Sequence, residues 1–270
     1  MAGPGRCLSL LRTAFMPQTL SVAMITKNEE ANLPRTLASV RWADEIVIAD
    51  SASTDRTASV AESFGAKIFV NTPFPGHGEQ KNVAIDRCTS DWVLLLDADE
   101  VISPELAEEI GQVLTGPAAH DAYWIPRLNL IFGRWMRHGG FYPDRKLRLF
   151  RRGAARLSEG VGPHSTPQFA GKAGILRGDI LHYAYPTLAP YIEHMNRYST
   201  EMGMLAAPKK PSRSLFAFLW NVVLNPVATF IWNYIFRLGF LDGREGLLLH
   251  MYHSAYVSWK YAKAWEQRRS

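Results

Sequence analysis

Short apolar runs alternate with helix-like stretches over the first 120 residues of the chain. Four runs have the composition of buried β-strands: Ser21–Thr26, Glu45–Asp50, Ala66–Asn71 and Asp91–Asp97. The stretches between them predict helices over residues 29–42, 54–64 and 78–87. A fourth helix is expected to begin at Ser103-Pro104, because serine can cap a helix and proline fits its first turn. Alternating strands and helices predict a parallel sheet covered on both faces.

The composition is that of a folded protein with one large domain. The 270 residues are 47% apolar and 11% aromatic, which excludes a disordered or low-complexity chain. Two cysteines, Cys7 and Cys88, are too few for a disulfide framework or a cysteine zinc site, and they fit a reducing cytoplasmic setting. The net charge of +5 is modest, so its meaning depends on where the basic residues lie.

Polar residues follow the apolar strands, at the sheet edge where parallel sheets bind ligands. The first strand leads into residues 26–30, the second into 50–55 and the fourth into 97–100. In the second segment Ser53 or Thr54 is expected to cap the next helix. The first strand is not followed by the glycine-rich dinucleotide fingerprint, and the sequence contains no P-loop. These absences argue against a dinucleotide oxidoreductase and against a P-loop NTPase.

The sharpest chemical signal is Asp97-Ala98-Asp99, at the end of a fully apolar strand. Carboxylates two residues apart point to the same side of a strand, where they can hold a hard divalent cation. Without a cation or a cationic partner they would repel each other. Lys81 comes shortly after two glycines at a predicted helix start, which is a suitable place for a diphosphate.

Taken together, these segments resemble glycosyltransferase family 2, the inverting enzymes with the GT-A fold. The resemblance rests on TKNEEANLPRTLASV, IVIADSASTDRT, GHGEQKNVAI and VLLLDADE, in that order, within residues 20–110. LRLFRRG, GDILHYAY, NRYS and RLGFLDGREG extend it toward the C-terminus, and the whole set is most similar to the bacterial lipopolysaccharide-core β-1,4-glucosyltransferase branch. The resemblance implies an α/β fold with a Rossmann-like, mostly parallel sheet flanked by helices and followed by a helical C-terminal extension.

The same resemblance implies roles for the residues that match the donor site. Asn28, Glu29 and Asp50 would line the nucleoside pocket, with Asp50 reading the base or ribose. Lys81 would approach the diphosphate of the nucleotide sugar.

For the metal site, the resemblance implies a D-x-D pair that binds Mg²⁺ or Mn²⁺. Asp99 would contact the metal, and Asp97 would share in the site while lying nearer the ribose. His182 would join the metal or the diphosphate; the alternative is an ordinary strand histidine.

An inverting transfer also needs a general base on the acceptor hydroxyl. Relatives usually have an acidic residue followed shortly by Val-His-Glu. Here Glu159 and His164 match that pattern, but Ser165 stands where glutamate is expected. Glu159 is therefore the first candidate for the base and His164 the second, and a structural role for both remains open.

Basic residues are concentrated in one segment of the chain. Nine lie between positions 127 and 156, against the single acid Asp144: Arg127, Arg134, Arg137, Arg145, Lys146, Arg148, Arg151, Arg152 and Arg156. They predict recognition of an anionic acceptor, because arginine pairs well with phosphate and carboxylate; a solvated basic surface is the alternative. No nucleic-acid-binding motif accompanies them, so we predict no nucleic-acid partner.

The functional prediction is a metal-dependent inverting hexosyltransferase. It would move glucose from UDP-glucose to a lipid-linked lipopolysaccharide inner-core oligosaccharide. One alternative is transfer to polyprenyl phosphate. Another is a non-catalytic basic module that binds a membrane or nucleic acid.

The chain is predicted to have four parts. Residues 1–15 form a disordered extension, with Met16 as an alternative start, and residues 16–120 form the nucleotide-sugar-binding half. Residues 121–186 form the acceptor-binding and catalytic half, and residues 187–270 form a helical region that associates with a membrane around 215–236.

The segment Leu215–Phe236 has 22 residues and no charge. As a helix it would be about 33 Å long, enough to span a bilayer core. Pro226 is expected to kink or break it, and Asn221, Asn225, Thr229 and Asn233 would form a polar stripe. These features favour a kinked helix or hairpin in the cytoplasmic leaflet over a true span or burial in a core or dimer interface. The predicted location is cytoplasmic, peripheral on the inner face of the inner membrane.

Overall fold

A computed structural model describes residues 17–158, 166–206 and 214–267 of the chain. The predicted N-terminal extension and the alternative start at Met16 lie outside the described residues. So do the two candidate bases, Glu159 and His164.

The first part of the described chain follows the predicted alternation of strands and helices. Its elements are β1 (Leu20–Thr26), α1 (Leu33–Ser39), β2 (Glu45–Asp50), α2 (Thr57–Ser63), β3 (Lys67–Val70), α3 (His77–Asp86), β4 (Trp92–Leu95), β5 (Glu100–Ile102) and α4 (Pro104–Thr115). The predicted cap of α4 is confirmed, because the Ser103 side chain accepts a hydrogen bond from the Leu106 amide.

The predicted cap of α2 is wrong. The helix begins at Thr57 rather than Thr54, and neither Ser53 nor Thr54 caps it. Instead the Ser53 hydroxyl donates to the Asp50 carboxylate at 2.6 Å, and the Thr57 amide donates to Asp55 at 3.0 Å. The serine is therefore used to shape the turn after β2.

Five of the seven strands in the second part of the chain join the same sheet, and the other two form a separate pair. Its strands are β6 (Ala122–Ile131), β7 (Arg134–Met136), β8 (Asp144–Arg151), β9 (Ala155–Arg156), β10 (Gln168–Phe169), β11 (Gly174–Ile175) and β12 (Ile180–Tyr185). The main sheet has the order β3-β2-β1-β4-β8-β6-β12-β5. Its first four strands are parallel, β8 is antiparallel to both neighbours, and β5 is antiparallel to β12. The functional division at residue 120 stays a prediction, whereas the sheet itself continues across it.

The core lies on both faces of the sheet. Along β4, Trp92 and Leu94 pack toward α1, α2 and α4, whereas Val93 and Leu95 pack toward α3. All four side chains are buried, and burying one such apolar side chain stabilises a fold by about 1.5–3 kcal/mol. The strand that leads into the Asp97-Ala98-Asp99 motif is thus held rigidly from both sides.

The described C-terminal chain is helical. It contains α5 (Leu188–Ala206), α6 (Leu215–Leu219), α7 (Asn225–Ile231) and α8 (Gly243–Glu266). Two π-helical turns, Trp220–Leu224 and Trp232–Phe236, follow α6 and α7, and a 3₁₀ turn at Gly239–Asp242 precedes α8. We call the whole stretch Leu215–Phe236 the apolar helix.

Pro226 does not end the apolar helix, contrary to one form of the prediction. Proline has no amide hydrogen, so the carbonyl four residues earlier loses its usual partner. The hydroxyl of Ser258 on α8 donates to that Val222 carbonyl at 2.8 Å, and Ser254 donates to the Pro226 carbonyl at 2.6 Å. Helix α8 thus satisfies backbone groups of the apolar helix.

Gly178 and Gly111 give a matched pair of stability predictions. A Cβ on Gly178 would lie 2.4 Å from the Leu106 backbone nitrogen at the start of α4, whereas a Cβ on Gly111 meets nothing within 4 Å. We expect Gly178→Ala to lower the free energy of unfolding by about 3 kcal/mol. Gly111→Ala should raise it by about 0.5–1 kcal/mol, because alanine favours the helix interior. Urea unfolding measures both, and equal effects would contradict the packing described here.

Candidate active site

A cavity of about 1080 Å³ opens at the carboxyl ends of β1 and β4. The sheet and its loops form one side, and α5 and α8 form the other. Five of the predicted site residues line it: Glu29, Lys81, Asp97, Asp99 and His182. The structure therefore brings together residues that lie up to 153 positions apart in the chain (182 minus 29).

Asn28 and Asp50 do not line the cavity but shape its floor. The Asn28 side chain accepts a hydrogen bond from the Thr54 amide, and the backbone amide of Asn28 donates to the Ser53 hydroxyl, both at 2.8 Å. Asp50 is buried and accepts from the Thr26 hydroxyl and the Ser53 amide, both at 2.7 Å. These bonds lock the loops after β1 and β2 together, and direct contact of Asp50 with a nucleoside stays a prediction.

Asp97 is held between two cations. Lys81 Nζ lies 2.6 Å from one carboxylate oxygen and Arg148 Nη2 lies 2.7 Å from the other. Burial opposes ionisation of Asp97, but Arg148 and Lys81 together hold its pKa well below the usual range. Both of its oxygens are therefore paired with side chains, and its proposed share in a metal site stays a prediction.

Arg148 is the site residue that sequence reasoning missed. It is only 5% exposed, and besides Asp97 it contacts Glu100 Oε1 at 2.9 Å. The other oxygen of Glu100 accepts from the Asp97 amide at 3.0 Å, so the turn between β4 and β5 is closed by the same network. Arg127 joins it at 3.2 Å from Glu100. The signal was an arginine between two leucines in a strand, which indicates a buried ionic partner.

His182 and Asp99 form the part of the site that fits a metal ion. Pairing of β12 with β5 places His182 opposite Glu100, so its Nε2 lies 3.2 Å from Asp99 Oδ2. The Asn129 amide oxygen faces the other ring nitrogen at 2.7 Å, so that nitrogen carries the proton. Two acceptors then face each other, and either a proton or a cation must lie between them.

The described residues contain no group of three or more His, Cys, Asp or Glu that could hold a metal ion. The pair offers one carboxylate oxygen, which suits Mg²⁺ or Mn²⁺, and one imidazole nitrogen, which Mg²⁺ does not favour. A metal held by this pair would therefore need further ligands.

Glu29 adds a further carboxylate to the rim of the cavity. Burial raises its pKa, a hydrogen bond from Asn32 lowers it, and the nearby charges of Asp99 and Asp97 raise it again. Carboxylates on loops from β1 and β4 thus concentrate negative potential where Asp99 faces His182. A bound cation would relieve that repulsion.

Fewer of the nine basic residues between positions 127 and 156 are available to a ligand than their number suggests. Five of the nine pair with carboxylates inside the described structure: Arg127, Lys146, Arg148, Arg151 and Arg156. Recognition of an anionic acceptor by this segment therefore stays a prediction, and fewer than nine cations can carry it. Arg127, Arg145 and Lys146 do line the cavity, so a smaller basic group remains at the site.

Comparisons with known proteins agree with the predicted resemblance. Residues 21–177 match the family model described as glycosyl transferase family 2. An uncharacterized glycosyltransferase of Rickettsia typhi is 33% identical over 197 residues, which cover 67% of this chain and 66% of that protein. The lipopolysaccharide core biosynthesis glycosyltransferase LpsC of Rhizobium meliloti is 30% identical over 256 residues, 92% of each chain.

One solved structure supports the fold. The mannosyltransferase PcManGT of Pyrobaculum calidifontis, determined with GDP-Man and Mn²⁺, matches 94% of this chain and 88% of its own with a TM-score of 0.53. At 15% identity the match shows the fold alone. The predicted α/β, GT-A architecture with a C-terminal helical region is confirmed.

Replacing Arg148 tests whether the buried network supports the site. Arg148→Met leaves buried Glu100 and half-buried Asp97 without their shared cation, so we expect the free energy of unfolding to fall by about 3–5 kcal/mol. Arg56→Met is the control, because its ion pair with Glu30 is exposed and should contribute less than about 1 kcal/mol. Chemical denaturation measures both, and a loss at Arg148 no larger than at Arg56 would contradict the network's role.

Proposed function

The chain belongs to glycosyl transferase family 2, and from that premise we propose that it is an inverting hexosyltransferase of lipopolysaccharide core assembly. Its donor would be UDP-glucose and its acceptor an anionic, lipid-linked inner-core oligosaccharide. The observation that carries the proposal is that Lys81–Asp97 and Asp99–His182 pair in one cavity, with buried Arg148 holding Asp97 from behind. The similarity to LpsC over 92% of both chains supports the core oligosaccharide rather than polyprenyl phosphate as acceptor.

The donor diphosphate would lie between Lys81 and the Asp99–His182 pair. Arg148 and Arg127 together balance the charges of Asp97 and Glu100, so Lys81 can exchange its contact with Asp97 for a phosphate oxygen. Mg²⁺ or Mn²⁺ held by Asp99 and His182 would stabilise the negative charge that develops on the departing diphosphate.

Glu159 is proposed as the base that takes the proton from the acceptor hydroxyl, with His164 as the second candidate. In the inverting step the acceptor oxygen bonds to the sugar carbon on the face opposite the breaking bond to diphosphate. The residues just before Glu159 are bonded to the neighbour of Lys81, which supports this assignment. Asn82, next to Lys81, exchanges two hydrogen bonds of 3.0 Å with the Leu157 backbone.

We further propose that the apolar helix lies in the cytoplasmic leaflet. Only 6% of its most apolar 18-residue window is buried, although its length and composition would allow it to cross a membrane. Its outward residues are all apolar, and they include Trp220 and Trp232, which are 51% and 54% exposed. Its asparagines and Thr229 lie on the less exposed side.

Packing against α8 favours a helix in the membrane plane over a span. Ser254 and Ser258 of α8 bond to the inner side of the apolar helix, and His253 and Tyr256 of the same α8 line the cavity. A helix surrounded by lipid would have to give up these contacts. In the interfacial arrangement the donor site and a lipid-linked acceptor lie on the same side of the membrane. Basic residues flank the apolar helix in the sequence. Arg237 belongs to the described chain, whereas Lys209, Lys210 and Arg213 do not.

Substituting Asp99 tests the proposed reaction. We expect Asp99→Ala to lower transfer from UDP-glucose by roughly 10³-fold or more, because the loss of charge stabilisation at the leaving group amounts to several kcal/mol. Mn²⁺ binding in the presence of UDP, measured by calorimetry, should weaken in parallel. Glu62→Ala, an exposed acid on α2, is the control. Near-normal transfer by the Asp99 variant would refute the proposed role.

Membrane placement can be tested by vesicle co-sedimentation. We expect the double variant Trp220→Ser/Trp232→Ser to bind vesicles of phosphatidylethanolamine and phosphatidylglycerol at least tenfold more weakly, because burial of the two rings together is worth more than about 1.4 kcal/mol. Trp42→Ser, an exposed ring on another part of the surface, should bind as the wild type does. A wild-type protein that ignores vesicles, or dimerises through this face, would contradict the placement.

A further inference from the structure

The side of the cavity formed by α5 and α8 consists mainly of aromatic rings. On α5 the cavity residues recur every three or four positions, at 191, 194, 195 and 198, and on α8 they lie at 253 and 256. Each helix therefore turns one face to the cavity. We call the five rings among these residues, with Tyr185 from the end of β12, the aromatic wall: Tyr185, Tyr191, His194, Tyr198, His253 and Tyr256.

The rings of the aromatic wall support one another. Tyr198 of α5 stacks on Tyr256 of α8, with 5.8 Å between centroids and 13° between planes. Tyr185 meets His194 edge to face at 5.7 Å, and His253 lies 5.7 Å from Tyr256. Contacts of this kind hold rings in fixed positions beyond their area burial, so the wall is a preformed surface.

The aromatic wall carries no charge at neutral pH. Burial lowers the pKa of His194, and it lowers that of His253 to about 4. Burial also raises the pKa of Tyr185 and of Tyr256 to about 12. The surface thus combines apolar ring faces with hydroxyl and imidazole groups that can donate and accept hydrogen bonds. Among the described residues, none bonds the hydroxyl of buried Tyr191.

This chemistry matches a sugar ring better than an acyl chain. A pyranose presents C–H groups on its faces and hydroxyls around its edge, and rings with polar tips complement both. An acyl chain has no partner for the hydroxyls and imidazoles. Arg145 and Lys146 also line the cavity, where they could meet an anionic substituent on the same sugar.

The aromatic wall also lies where an acceptor has to be. Tyr185 lies on β12 three residues after His182 and lines the same cavity as Asp99, so the wall reaches the Asp99–His182 pair. At its other side, α8 carries the serines that bond the apolar helix. The wall therefore connects the reacting end of the cavity with the proposed membrane face.

We propose that the aromatic wall is the binding site for a sugar residue of the acceptor. The inference rests on the proposed function and adds the surface that recognises the acceptor. A sugar ring packs against the stacked Tyr198–Tyr256 pair, its hydroxyls bond to the polar tips, and the attacking hydroxyl is directed toward Asp99 and His182.

The test uses the full chain, UDP-glucose with Mn²⁺, and a deacylated inner-core oligosaccharide that has no acyl chains. We expect Tyr198→Ala and His194→Gln to raise the KM for this oligosaccharide about tenfold, the loss of roughly 1.4 kcal/mol of contact. The Kd for UDP should stay within twofold. Saturation-transfer NMR with UDP present should show the oligosaccharide bound to the wild type and weakened in both variants. Tyr261→Ala, a ring on α8 outside the cavity, should match the wild type.

Two results would overturn the inference while leaving the proposed function intact. One is an unchanged oligosaccharide KM in both variants, provided that they fold as judged by thermal melting. The other is acceptor binding only when acyl chains are present, which would assign the wall to lipid. A wild-type protein that binds no UDP would instead refute the proposed function, and the inference with it.

Discussion

The buried pairing of Asp97 with Lys81 and Arg148 is the interaction on which the rest of the site depends. An apolar strand delivers Asp97 and Glu100 into a region with little water, where carboxylates require cations. Lys81 comes from α3 on one side, and Arg148 comes from β8 on the other. The chain beyond residue 120 must therefore re-enter the sheet beside β4, and the antiparallel β8 is the strand that does so.

This pairing also gives the acidic residues of the motif different roles. Asp97 and Glu100 are occupied by arginines, so Asp99 is the acid of the motif that faces His182. The geometry depends on a second return of the chain, because β12 pairs with β5 directly after the motif. Because the chain returns to the sheet twice, Asp97 and Glu100 are paired with Arg148 for structure, and the Asp99–His182 pair is left for ligand chemistry.

Much of the first half of the fold could be predicted because it is encoded locally. Strand and helix periods, the Ser103 cap and the polar strand ends all lie within a few residues of the structure they specify. Sequence reasoning missed contacts whose partners are distant in sequence. The Ser53 hydroxyl accepts from the Asn28 amide 25 positions earlier rather than capping a helix, and the cations of residues 127–156 pair with acids such as Asp86 and Asp121. Counting charges cannot reveal such pairs, and the spacing of rings on α5 and α8 carries no sign of the cavity they share.

The apolar helix distributes its polar and apolar residues in the opposite way to a helix on the surface of a water-soluble protein. Its polar side chains lie on the less exposed side and its outer face is entirely apolar, so packing against α8 leaves the most hydrophobic surface uncovered. Helix α8 completes this arrangement from the inside, since Ser258 supplies the hydrogen bond that Pro226 cannot. The same α8 presents His253 and Tyr256 to the cavity, one position before and two positions after Ser254. A displacement of the apolar helix would therefore be transmitted directly to the cavity wall, because one rigid helix carries both contacts.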